Sequence, residues 1–152
     1  MELKFEKYTT QSERFFNILP EDWQEIVRPI WLKEHKNAEI LVLVKDEQIS
    51  AGGIVFKGLT ADMDSFEKEA VAFINSDYYY IGYLWVVESS RGKNLGSLWL
   101  NSLKEYYPNT NFWLSIEDEN LKKFYLKNDF QLIKKSDDEE HAEWLLLFNA
   151  HV

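Results

Sequence analysis

The chain has 152 residues, with 17 Lys and Arg against 26 Asp and Glu, for a formal net charge of −9. At 45% hydrophobic residues this length suits one well-cored domain spanning 1–152, and the absence of cysteine excludes a disulfide scaffold, a thiolate metal site and a cysteine nucleophile. An acidic surface argues against nucleic acid as partner, and no apolar run approaches the ~18 residues of a membrane span, so a cytoplasmic protein with no membrane partner is expected.

Leu3 to Tyr8 alternates apolar and polar residues and reads as an opening strand. Trp23, Ile26, Val27, Ile30 and Trp31 then share one helical face. Pro20 suits a first helical turn, whereas Pro29 should kink or divide the segment, so two short helices are expected between 11 and 35. The β-branched run Ile40 to Val44, the polar turn 46–48 and the stretch Ile49 to Lys57 predict a hairpin. Within it Gly52 and Gly53 point to a bulge or a close backbone approach.

Residues 58–77 are too long for a simple loop and carry Met63, Phe66, Ala70, Phe73 and Ile74 at helical spacing, with Asp64 and Glu67 placed like a capping box. The apolar run Tyr78 to Val87 predicts a central strand. Leu95 to Tyr106 reads as a helix stopped by Pro108, and Phe112 to Glu117 as a strand. A short helix around Phe124 and Tyr125 follows, then a strand pair across the acidic turn 137–140. The order β-α-α-β-β-(insert)-β-α-β-α-β-β predicts an α/β (α+β) domain on a single mixed sheet.

Chemistry concentrates in Val86-Val87-Glu88-Ser89-Ser90-Arg91-Gly92-Lys93-Asn94-Leu95-Gly96-Ser97, where a buried strand runs through a loop with two glycines into an amphipathic helix. The first N–H groups of a helix lack partners and face outward with the positive end of the dipole. Such a start holds phosphate whatever the net charge of the protein. An ordinary βα turn with solvated basic residues would have the same composition. Walker A order and the dinucleotide fingerprint are both missing.

Arg91-Gly92-Lys93-Asn94-Leu95-Gly96 resembles the acyl-CoA pyrophosphate loop of the GNAT superfamily of N-acetyltransferases, and Leu84-Trp85-Val86 is similar to the end of that family's fourth strand. Asn120 through Phe130 resembles its Asn-x-x-x-Phe-Tyr segment. Asn94 and Asp129 depart from it, each standing where glycine is usual. The resemblance implies a mostly antiparallel sheet flanked by helices, with splayed central strands at 78–87 and 111–117 that admit acetyl-CoA as acetyl donor. Leu84 and Val86 would pair with the pantetheine arm. Arg91, Gly92, Lys93, Asn94, Leu95, Gly96 and Ser97 would hold the pyrophosphate, and Asn120 would contact the cofactor. The N–H of Val86 or Val87 would polarise the thioester, and Tyr125 would protonate the leaving thiolate.

Glu117, at the end of the fifth strand, is the leading general base, with a solvated strand-end carboxylate as the alternative reading. His35, His141 and His151 are spaced unlike a metal site, and none is expected. The acceptor would be a primary amine of a small molecule or peptide, bound by the segments 11–35 and 58–77 and the last hairpin, with Trp23, Trp31, Phe66 and Tyr79 as candidate lining. The net charge favours a cationic amine. A non-catalytic acyl-CoA-binding module, a different acyl-CoA donor and a homodimer stay open on sequence alone.

Overall fold

A computed structural model describes residues 2–150. Strands β1 (Lys4–Tyr8), β2 (Ala38–Lys45), β3 (Gln48–Phe56), β4 (Tyr79–Val86), β5 (Phe112–Ile116), β6 (Gln131–Lys135) and β7 (Trp144–Phe148) form one sheet in the order β1-β2-β3-β4-β5-β7-β6. Every neighbouring pair is antiparallel except β4 and β5. Those two central strands pair in parallel at Tyr79 with Phe112 and Tyr80 with Trp113, then separate. The splay opens a cleft in the middle of the sheet.

Helices cover both faces because the strands alternate. Ile40, Val42 and Val44 of β2 face a core shared with α1 (Ser12–Phe16), α2 (Glu21–Glu34) and α3 (Glu67–Asn75). Leu41 and Leu43 face the other core, built on α4 (Leu95–Tyr106) and α5 (Lys122–Lys127). Gly52 and Gly53 let both cores approach the backbone. A Cβ at Gly52 would lie 2.6 Å from the Phe15 ring, and one at Gly53 would lie 2.8 Å from the Trp99 ring. Trp99 is fully buried, and its indole N–H donates to the Leu41 carbonyl at 3.0 Å.

Two local expectations are corrected. The break between the first helices falls at 17–20, with Pro20 as the N-cap of α2, and Pro29 lies inside that 14-residue helix. Pro29 and Glu25 are both on the exposed side, where water can satisfy the carbonyl that loses its N–H partner. The capping box at Asp64 and Glu67 does not form. Ala61–Phe66 is a 3-10 turn, and α3 starts without a side-chain cap after Phe66.

The register of β3 on β4 slips, with Gly52 opposite Trp85 but Ile54 opposite Gly82. Three steps on β4 match two on β3, a bulge centred on Tyr83, whose φ of 58° is left-handed. Beyond the bulge Val87 donates its N–H to the Ser50 carbonyl at 2.9 Å. Alternation along an antiparallel ladder then turns the N–H and C=O of Val86 the other way, toward the edge that β5 has left.

Candidate functional site

Two adjoining cavities occupy the splay. One, of about 570 Å³, runs between the end of β4 and the start of α4 and is lined by Leu84, Trp85, Val86, Arg91, Gly92, Asn94, Leu95, Gly96, Ser97 and Phe124. The other, of about 290 Å³, lies between β4 and β5 and is lined by Ile26, Asp62, Tyr80, Tyr83, Ser115, Glu117 and Glu143 among others. Trp23, Leu84, Asp118, Leu121 and Tyr125 line both, so they mark the junction.

At the head of the larger cavity α4 begins without a side-chain cap. Its first hydrogen bond is Leu98 N–H to the Asn94 carbonyl at 3.1 Å, and among the described residues no protein acceptor meets the N–H groups of Leu95, Gly96 or Ser97. Those three donors and the helix dipole make a ready anion site. Asn94 reaches it in a left-handed conformation, φ 62° and ψ 27°, which asparagine tolerates better than most side chains. Gly92 has φ 80° and open space where a Cβ would stand.

Gly96 also has a packing role. A Cβ there would lie 2.8 Å from the Phe124 ring, so its missing side chain admits Phe124 of α5. Ser97 Oγ likewise faces inward and accepts from Asn128 Nδ2 at 3.1 Å, tying α4 to the end of α5. Asp129 ends α5 with φ 72°, filling the left-handed position where glycine is common.

Arg91 folds over the Trp85 ring at 4.7 Å and donates through Nε to the Val86 carbonyl at 3.1 Å. Its charge therefore sits on the cleft rim. Lys93 and Asn120 are exposed and lie outside the lining, while Leu121 and Phe124 line the cavity from the neighbouring turns. Val87 also lies outside it. Its N–H donates to the Ser50 carbonyl, so of the two valines named as candidate donors only Val86 lines the cavity.

Tyr125 is 6% exposed, and its hydroxyl has no hydrogen-bond partner among the described residues. Burial alone pushes its pKa above the ordinary phenol value. Burial thus favours the protonated phenol, and Tyr125 lines the junction of the cavities. Glu117 is exposed at the far end of β5 and lines the smaller cavity.

Residues from the segments 11–35 and 58–77 and from the last hairpin line the smaller cavity. Trp23 and Ile26 come from α2, Asp62 from the 3-10 turn before α3, and Glu143 from the start of the last strand. Of the aromatic candidates only Trp23 lines it; Trp31 packs on Phe16, Phe66 is core, and Tyr79 packs on Tyr107. Sequence reasoning did not single out Asp62, Tyr80, Tyr83 or Glu143, which reach the cavity from three separate segments of the chain. Tyr83 donates to Asp62 Oδ2 at 2.9 Å, and Tyr80 lies 3.4 Å from Ser115 Oγ. Burial first, and then the Asp62 charge, raise the pKa of both phenols. His35 and His141 are exposed, and His151 lies outside the described residues. Among the described residues no group of three His, Asp or Glu could hold a metal ion, and no helix is long and apolar enough to cross a membrane.

A family model described as the acetyltransferase (GNAT) family matches residues 6–130. No curated protein matches the chain. Among solved structures, a Desulfovibrio desulfuricans protein assigned to the GNAT family superposes with a TM-score of 0.72 at 7% identity, covering 98% of this chain and 99% of that one. An aminoglycoside 6'-N-acetyltransferase complexed with coenzyme A gives 0.70 at 9% identity, covering 98% of each. A Bacillus anthracis protein assigned as a streptothricin acetyltransferase, in complex with acetyl coenzyme A, gives 0.56 at 16% identity over 74% of this chain and 62% of that one. At such identities the superpositions establish the fold, which is the splayed mixed sheet described above. With more than three-quarters of its length matched by the family model, the chain belongs to the acetyltransferase (GNAT) family.

Proposed function

We propose that the protein transfers the acetyl group of acetyl-CoA to a primary amine of a small molecule or peptide, by direct attack while both are bound. The observation that carries this reading is the row of unpartnered N–H groups at Leu95, Gly96 and Ser97, opening into a cleft that ends at an unpartnered, buried Tyr125. The pairing of an anion cradle with a protected proton donor suits a phosphate-bearing thioester. The coenzyme A and acetyl coenzyme A bound by two structural neighbours support the same donor.

The pyrophosphate lies on the α4 amides, with Arg91 on the rim supplying a positive charge. The pantetheine arm follows Leu84 and Val86, replacing the strand pairing that β5 leaves unmade. The Val86 N–H donates to the thioester oxygen as negative charge develops on it. A neutral amine enters from the smaller cavity, its nitrogen forming a bond to the acetyl carbon as the carbon–sulfur bond breaks. The amine's proton leaves toward Glu117, directly or through water, and the thiolate takes a proton from Tyr125, which regains one from solvent as Glu117 releases its own to solvent. A protonated phenol lowers the barrier here by hydrogen-bonding to the sulfur as charge builds on it.

The test is in two parts. Calorimetry with CoA should show binding that weakens in Arg91→Ala. Thiol release from acetyl-CoA across an amine panel should then fall sharply in Tyr125→Phe while CoA affinity holds. CoA binding with no transfer to any amine would favour a non-catalytic acyl-CoA-binding module, and no CoA binding would sink both readings.

A further inference from the structure

We propose that the acceptor is an amine carrying a second cationic group, and that Asp62 and Glu143 select it by receiving that second charge. The inference rests on the acyl-transfer reading above and names its substrate class.

The smaller cavity holds four carboxylates, from Asp62, Glu117, Asp118 and Glu143, and no Lys, Arg or His lines it. Among the described residues none of the four forms a salt bridge; the pairs run instead through Glu13, Glu39, Glu69, Glu119, Asp129 and Glu139. Neutral hydroxyls hold the two inner carboxylates. Asp62 accepts from Thr60 and from Tyr83 at 2.9 Å, and Glu143 accepts from Ser65 and from Ser115 at 3.3 Å. Hydroxyl donors orient a carboxylate but leave its charge uncancelled. Two oriented, partly buried carboxylates in a cleft with aromatic walls focus a negative potential that a cation relieves.

A second observation marks the cavity as a ligand site rather than an acidic surface. Tyr125 is more than nine-tenths buried, its hydroxyl is unpartnered among the described residues, and it lines this cavity as well as the donor cleft. Trp23, Tyr80 and Tyr83 add ring faces that attract ammonium groups.

Position separates the two ends of the ligand. Tyr125, Leu84 and Asp118 line both cavities, whereas Asp62 and Glu143 line the smaller one alone. A nitrogen reacting at the junction therefore leaves the rest of its molecule pointing toward Asp62 and Glu143. A monoamine places only alkyl chain there; a diamine or polyamine places a second ammonium between oriented carboxylates.

Calorimetry of the protein–CoA complex with diaminobutane, spermidine and pentylamine tests this without turnover. The two polycations should bind at least tenfold more tightly than pentylamine, with a preference that shrinks as salt rises. Asp62→Asn and Glu143→Gln should each cut that ratio at least threefold. Tyr83→Phe, which removes one of the two hydroxyls that hold Asp62, should cut it in the same direction, and thermal unfolding checks that each variant is folded. Equal affinity for diamine and monoamine, or a ratio unmoved in every folded variant, overturns the proposal. Parallel assays keep the two readings apart. Equal kcat/KM for pentylamine and diaminobutane would remove the selectivity and leave acetyl transfer standing. CoA binding with no transfer to any amine would remove acetyl transfer, while the binding ratio still decides the selectivity.

Discussion

Replacing Gly96 with alanine should separate donor affinity from stability. The added Cβ would stand 2.8 Å from Phe124 Cζ and 3.0 Å from Cε1, against an ordinary carbon contact of about 3.5–4.0 Å. The ring must withdraw by roughly 0.7 Å or more, and such overpacking costs on the order of 1–2 kcal/mol. Alanine returns about 0.5–1 kcal/mol through helix propensity, so global stability should fall by no more than about 1.5 kcal/mol. Phe124 lines the cleft and packs edge-on against Tyr125 at 4.9 Å, so a displaced ring encroaches on the cleft. Binding must push the ring back, and about 1–1.4 kcal/mol of that strain would weaken CoA affinity roughly 5- to 10-fold. Calorimetric CoA titration beside denaturant unfolding reads both quantities. A CoA dissociation constant within about twofold of wild type would refute the reasoning.

Four further outcomes follow from the same structure. Tyr125→Phe should lower kcat about 100-fold or more with CoA affinity held, measured by thiol release. Tyr80, Tyr83 and Tyr125 should resist ionisation past about pH 11 until the fold opens, so ultraviolet titration should find at least these three of the eight tyrosines silent there. Glu69 has its pKa held below the ordinary 4.5, first by its own backbone N–H and then by Lys134. The stability it contributes is present above pH 4.5 and lost as pH falls through the lowered value; Glu69→Gln should cost under about 1 kcal/mol at neutral pH and flatten the acid limb of the unfolding curve. Asp129→Gly should raise stability by about 0.5–1 kcal/mol, since its side chain makes only a 3.9 Å contact with Lys104 and its φ is left-handed.

What could be read in advance divides along physical lines. The anion loop was legible because a buried strand, two glycines and an amphipathic helix are local features, and the helix start supplies its donors whatever surrounds it. Tyr125 was legible only through its motif, since one aromatic on a short helix reads equally as core. Val86 and Val87 could not be told apart in the sequence. The choice depends on a bulge at Tyr83, a non-glycine residue in left-handed geometry that no local pattern announces. The close fit at Gly96 was not legible, because it is set by Phe124, 28 residues away. Asp62 and Glu143 were out of reach, because only the packing of α3 and β7 around the splay brings them to one cavity.

The splay between β4 and β5 has a consequence for the free protein. Two residue pairs at one end join a four-stranded half-sheet to a three-stranded one, so the molecule is built like a pair of tongs whose jaws lack a closing strand. A donor lying along β4 would act as that strand, knitting the halves with hydrogen bonds the chain does not make for itself. Its binding energy then becomes folding energy: at 100 times its dissociation constant it adds about 2.7 kcal/mol to the stability of the whole domain. With acetyl-CoA as the proposed donor, its concentration would thus raise the folded fraction of the protein.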